Sequence, residues 1–242
     1  MAKVKRKILI LVEGAKTDVA LMKRLLSTYK IDFNYEIVSY CTNIYTLYQE
    51  MFEDNNPADI DLLQLLKSRE PDPLKKDIFD DSYSDILLIF DLDPQDPSFE
   101  PKKIKDMVKY FVESSDMGKL YINYPMVEAF YHMASIPDPA YDSYYATLDE
   151  LALGTYKARV NRENRNHDYR KFAVEKEECS IVIDQNIKKA NKLVGVELGD
   201  SQLPTQKDIL AAQLNFIHSD RRIAVLSTCA FFIPEYNPKL LR

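Results

Sequence analysis

Ile8-Leu-Ile-Leu-Val12, running into Glu13-Gly14, and Ile86-Leu-Leu-Ile-Phe90, running into Asp91-Leu92-Asp93, decide how this chain folds. Both runs are continuously apolar rather than alternating, as expected of central strands buried on both faces. Each passes straight into acids. In a parallel α/β sheet the carboxyl ends of the strands lie on one edge, where ligands bind. Glu13 and the Asp91/Asp93 pair are therefore expected to converge although nearly 80 residues separate them.

Working outward, Thr17-Asp18 opens a helix to about Tyr29, with Thr17 as its expected cap. Tyr35 to Tyr40 reads as a second strand. Two helical stretches follow between Asn43 and Ser68, then a polar segment to Ser84. Ile104, Met107, Val108 and Phe111 fall on one helical face. Lys119 to Asn123 is a short strand, and Pro125 starts an expected helix through Met133, which would put Glu128 and His132 on one face. From Ser143 onward the pattern is helical: Leu148 to Leu153, Glu175 to Val194 and Lys207 to His218, while Arg222 to Phe232 is ambiguous between strand and helix, with helix the expectation. Strands alternating with helices imply a mostly parallel sheet with crossover helices. The expected organisation is an α/β domain over 1–140, with a helical insertion at about 43–82, and a helical C-terminal region over 141–242 packed on it.

The chain has 242 residues, 46% apolar and 29% charged, an ordinary globular balance. Its net charge of −6 argues against a polyanion binder working by bulk charge, although a local basic patch or a bound metal can still recruit nucleic acid. Cys41, Cys179 and Cys229 are scattered and lack CxxC spacing, which argues against a structural zinc or a disulfide framework. The N-terminal apolar run is too short for a signal peptide, and no stretch approaches the roughly 20 apolar residues of a membrane span. The expected location is the cytoplasm.

Asp91 and Asp93 are spaced i,i+2 and can face one ion as strand becomes turn. Close carboxylates repel one another unless a cation joins them. Oxygen-only ligation suits Mg²⁺ or Mn²⁺. From Asp77 to Glu100 there are eight acids and no Lys or Arg. The alternative is that short acids at strand ends are turn formers or caps. Downstream, Lys157, Arg159, Arg162, Arg165, Arg170 and Lys171 meet only Glu163 and Asp168, with Asn161, Asn164, Asn166 and Tyr169 interleaved. That composition suits phosphate contacts and stacking, or else a solvated loop. Lys16 sits within reach of a phosphate beside Glu13, or is an ordinary solvated lysine. The VEGAKTD segment lacks the G-x-x-x-x-G-K-[ST] spacing of a Walker loop.

VEGAKTD after the first strand, IFDLD after a later one, and YINYPMVEAFYH beyond them resemble the Toprim domain. More narrowly, they are similar to the OLD-type and RloB-type Toprim proteins of bacterial anti-phage systems. The likeness covers roughly residues 5–135. It implies a Toprim-like sheet in which Glu13 is a metal ligand or the acid/base near the scissile phosphate, and Asp91 and Asp93 bind Mg²⁺. Asp18 would ligate or merely charge its helix N-terminus. Glu128 would lie near the metal. The sequence departs from the family pattern at Pro94, where a small residue is common. The resemblance implies a Mg²⁺-dependent nuclease acting on DNA or RNA, the effector of an anti-phage system. Its expected partners are nucleic acid, a separate ATPase sensor and a second copy of the chain, with no membrane. Two alternatives stand beside it: a non-catalytic Toprim-like partner-binding protein, and a haloacid-dehalogenase-like phosphohydrolase. The latter's nucleophile strand resembles Ile89-Phe-Asp-Leu-Asp93, but that reading leaves Glu13-Gly14 unexplained.

Overall fold

β-Branched and leucine side chains without polar interruption make Lys7–Val12 (β1) and Asp85–Asp91 (β3) strands that bury both faces. A computed structural model describes residues 7–31, 34–115, 117–196 and 203–241. Between these strands come helix α1 (Thr17–Thr28), strand β2 (Asn34–Ser39), helix α2 (Ile44–Tyr48) with a π turn over Gln49–Glu53, and short helices α3 (Leu62–Arg69) and α4 (Pro73–Lys76). After β3 come helix α5 (Pro101–Tyr110), the two-residue β4 (Val112–Glu113) and β5 (Gly118–Tyr124). The order is β2-β1-β3-β5-β4, with β2, β1, β3 and β5 parallel and β4 antiparallel to β5. The protein is thus α/β with a mostly parallel central sheet flanked by helices.

Leu21, Met22, Leu25 and Leu26 of α1, and Ile104, Met107 and Val108 of α5, bury the apolar stripes of those helices in the core. Each such side chain contributes roughly 1.5–3 kcal/mol when fully buried. The cap of α1 differs from expectation. Thr17 is its first helical residue, preceded by Lys16, and no side chain caps it.

The C-terminal part contains α6 (Leu148–Ala152), α7 (Tyr156–Glu163), α8 (Lys176–Val194), α9 (Gln206–Asp220) and α10 (Phe232–Tyr236), with three short strands among them. β6 (Tyr145–Thr147) pairs antiparallel with β7 (Arg222–Ala224). β8 (Leu226–Ser227) pairs antiparallel with Asn123 and Tyr124 of β5. The helix expected over Arg222 to Phe232 is therefore corrected to β7 and β8 followed by α10, which starts only at Phe232. Its run Ile223 to Leu226 is apolar at every position and fully buried, so periodicity could not separate strand from helix. The expected Pro125 helix is also corrected: only a 3₁₀ turn, Val127–Tyr131, forms there. Among the described residues no helix is long and apolar enough to cross a membrane.

Candidate metal centre

β1 and β3 run side by side in register, Val12 opposite Ile89, so their carboxyl ends finish together. The Glu13 N–H extends this ladder by donating to the Ile89 carbonyl (3.2 Å), and the Asp91 N–H donates to Glu13 Oε2 (3.2 Å). Leu92 turns into the core, leaving Asp91 and Asp93 on the other side. One carboxylate oxygen from each of Glu13, Asp91 and Asp93 lies within 4.8 Å of the others, a group able to hold a metal ion. The three acids expected to converge do so.

Asp91 is held by a chain of partners that crosses the sheet. It is 7% exposed, and Oδ1 accepts from Asn123 Nδ2 (3.2 Å), its direct neighbour in β5. Asn123 Oδ1 in turn accepts from Ser227 Oγ (2.8 Å) of β8. Such outer partners orient a ligand and tune its affinity. Sequence reasoning missed this role for both residues. Asn123 stood within the YINYP segment, but Ser227 carried no signal, because its place depends on β8 joining the sheet.

Two further acids border the same cleft, of about 580 Å³. Asp18, 5% exposed in the first turn of α1, leaves Oδ1 without a partner among the described residues. Gly14 is required beside it: a Cβ there would stand 2.5 Å from Asp18 Oδ2. Glu128, 4% exposed on the 3₁₀ turn, pairs through Oε1 with Lys157 Nζ (3.3 Å), while Oε2 has no partner among the described residues. Five acids thus face two lysines, Lys16 and Lys157.

Burial and mutual repulsion set the protonation of the cluster. Burial, then the Asp93 charge, pushes Glu13 up to about 8. Burial, with a smaller push from Glu128, takes Asp18 to about 6. Asp91 lies well above the usual carboxylate range through burial and then Glu13, and Asp93 is raised mainly by burial. Burial lowers the Lys157 pKa, but Glu128 together with Asp91 and Asp93 outweighs that loss of hydration and raises it. A metal ion held by Glu13, Asp91 and Asp93 would relieve the repulsion among these carboxylates.

The remaining expected residues are placed differently. His132 is not on one helix face with Glu128. It is buried behind the cleft, with Nε2 at 3.0 Å from Glu163 Oε2 and Nδ1 at 3.2 Å from the Tyr156 hydroxyl. Burial pushes it down to about 4, so the neutral ring makes both bonds. The segment 157–171 is not a free basic patch. Its first half is helix α7, and only Lys157 of this segment lines the acidic cleft. Arg159 pairs with Glu150 (3.0 Å) and donates to the Tyr145 carbonyl (2.8 Å). Arg162 pairs with Glu163 (3.1 Å) and Arg170 with Asp168 (3.1 Å). Arg165 forks onto both oxygens of Glu178 (2.7 and 2.9 Å). Lys171 is exposed. The acids that balance these arginines are partly distant in sequence, so local composition overstated the free charge.

No family model, curated protein or solved structure matches this chain.

Proposed function

We propose that this chain is a Mg²⁺- or Mn²⁺-dependent nuclease with a Toprim-like arrangement, hydrolysing phosphodiester bonds of DNA or RNA. The observation that carries the reading is the meeting of Glu13, Asp91 and Asp93 at the carboxyl edge of β1 and β3. The parallel order β2-β1-β3-β5 is compatible with it. Hard oxygen donors favour Mg²⁺ or Mn²⁺ over softer metals. A divalent ion held there supplies a Lewis acid and a water of lowered pKa.

The chain's own groups do the rest. Glu13, Asp91 and Asp93 hold the ion, and Asn123 with Ser227 keeps Asp91 oriented. Lys16 and Lys157 line the cleft as cations for phosphate oxygens. Glu128 Oε2 and Asp18 Oδ1 are buried beside them without a hydrogen-bond partner among the described residues. Met126, Val127 and Leu151 add apolar lining to the cleft. A phosphohydrolase using Asp91 as nucleophile would leave Glu13 without a role, although Glu13 takes the Asp91 N–H. A place as effector in an anti-phage system, with a separate ATPase, rests on the sequence resemblance.

The test is incubation with plasmid, single-stranded DNA and tRNA, with Mg²⁺ or Mn²⁺ and with EDTA. Metal-dependent cleavage is expected. Binding without cleavage selects a partner-binding protein, and turnover of small phosphate esters alone selects the phosphohydrolase.

A further inference from the structure

We propose that Tyr45 and Asn43, at the start of the helical insertion, are positioning residues for the metal centre, gripping the loop that carries Asp93. The inference rests on the metal reading of the cleft and gives the insertion a part in it.

Asp93 stands just past the end of β3 with φ of +41°, a left-handed conformation that persists only where its surroundings hold it. The peptide plane before it is gripped at both ends. Its N–H donates to the Pro125 carbonyl (3.1 Å), and its oxygen, the Leu92 carbonyl, accepts from the Tyr45 hydroxyl. Rotation of that plane is what would move Asp93 relative to Asp91. Tyr45 is 1% exposed, and its ring packs edge-on to Phe99 at the far end of the loop (6.3 Å). Two residues before it, Asn43 does double duty. Its Oδ1 caps α2 by accepting from Thr46 N (3.0 Å), while its Nδ2 donates to Asp96 Oδ2 (2.7 Å). The Asp96 N–H closes the turn onto the Asp93 carbonyl (2.9 Å). Helix α2 therefore holds the Asp93 loop from both sides, and neither residue touches the carboxylates that would bind metal.

The experiment measures Mn²⁺ and Mg²⁺ affinity by titration calorimetry for the wild-type chain, Tyr45→Phe and Asn43→Ser. Tyr45→Phe keeps the ring and removes the donor. Asn43→Ser keeps a capping oxygen and loses the bond to Asp96. Tyr45→Phe should weaken Mn²⁺ binding by about 10–100-fold, as loss of an outer partner does. Asn43→Ser should weaken it less. In an Asp93→Asn background, Tyr45→Phe should add nothing. Raising the metal concentration should restore the cleavage rate of either variant. A purely structural role would lower the melting temperature and leave the metal affinity alone. Folded variants that bind Mn²⁺ like the wild type would overturn the inference while leaving the metal centre standing. If Tyr45→Phe does not fold, Asn43→Ser decides alone. A wild-type chain that binds no divalent ion would instead overturn the metal reading, and this inference with it.

Discussion

Two buried polar regions of this protein invite comparison: the acidic cleft at the sheet edge and the junction around Lys189. Lys189, 1% exposed on α8, donates to the carbonyls of Tyr141 (2.7 Å) and Tyr144 (2.9 Å) and lies over the Tyr141 ring. Nearby Asp138 accepts from Ala134 N, Ala140 N and the Tyr144 hydroxyl. Asn186 Oδ1 accepts from Tyr141 and from Ser227 N. These groups find their partners within the chain. In the cleft, by contrast, acids of one sign crowd together, and Asp18 and Glu128 each keep an unpartnered buried oxygen. A buried polar group without a partner costs stability. The junction is therefore satisfied by the fold itself, whereas the cleft keeps three acids that could hold a metal ion.

The sharpest break between the two regions should come from Asp91→Ala. It should abolish metal-dependent cleavage, a loss of at least about 10³-fold if the ion provides the main electrostatic stabilisation. The metal-free protein should melt close to the wild type, because the relief of repulsion among the acids offsets the acceptor that Asn123 Nδ2 loses. Single-turnover cleavage and calorimetric melting in EDTA measure the two effects; retained cleavage would place the chemistry elsewhere.

Lys189→Ala should do the opposite, lowering stability by about 2–5 kcal/mol through a cavity and two deserted carbonyls. Metal affinity of the folded protein should stay unchanged. The same residue predicts a pH dependence. Burial pushes Lys189 down to about 7, below its ordinary value of 10.5. Between those values the unfolded chain binds the extra proton, so the contribution of this residue to stability rises with pH across about 7 to 10.5. Lys189→Met should flatten that rise. Urea denaturation at pH 7 and pH 10 tests it, and equal slopes for both proteins would show that the lysine keeps its charge.

Gly14→Ala tests how tightly the cleft is built. Its Cβ would meet Asp18 Oδ2 at 2.5 Å, so Asp18 must move, at roughly 1–3 kcal/mol. Chemical denaturation should show that loss, and Mn²⁺ titration a weaker affinity. The smallest effect should come from Arg165→Gln. This arginine is spent on Glu178, and a partly exposed pair contributes only about 0.2–1 kcal/mol. Nucleic-acid affinity across a salt series should keep its slope for Arg165→Gln. Lys157→Gln should lower that slope by about 0.7–0.9, the worth of one phosphate contact. A flattened slope for Arg165→Gln would return the basic segment to the interface.

Much of this was legible in the residues themselves. Unbroken apolar runs can only be satisfied by burial on both faces, so β1 and β3 were readable, and the edge rule then carried Glu13 to Asp91 and Asp93. The α1 and α5 stripes were readable because a helix repeats its buried face every three to four positions. Tertiary structure decided the rest. Whether Ile223 to Leu226 is strand or helix depends on β6, which pairs with Ile223 and Ala224, and on β5, which pairs with Leu226, and local pattern contains neither. Arg159 and Arg165 look free until Glu150 and Glu178 fold against them. Ser227, Asn123 and Tyr45 matter only through neighbours 32 to 104 residues away. Composition and periodicity are properties of neighbours in sequence, whereas a charge's partner and an oxygen's donor are properties of neighbours in space.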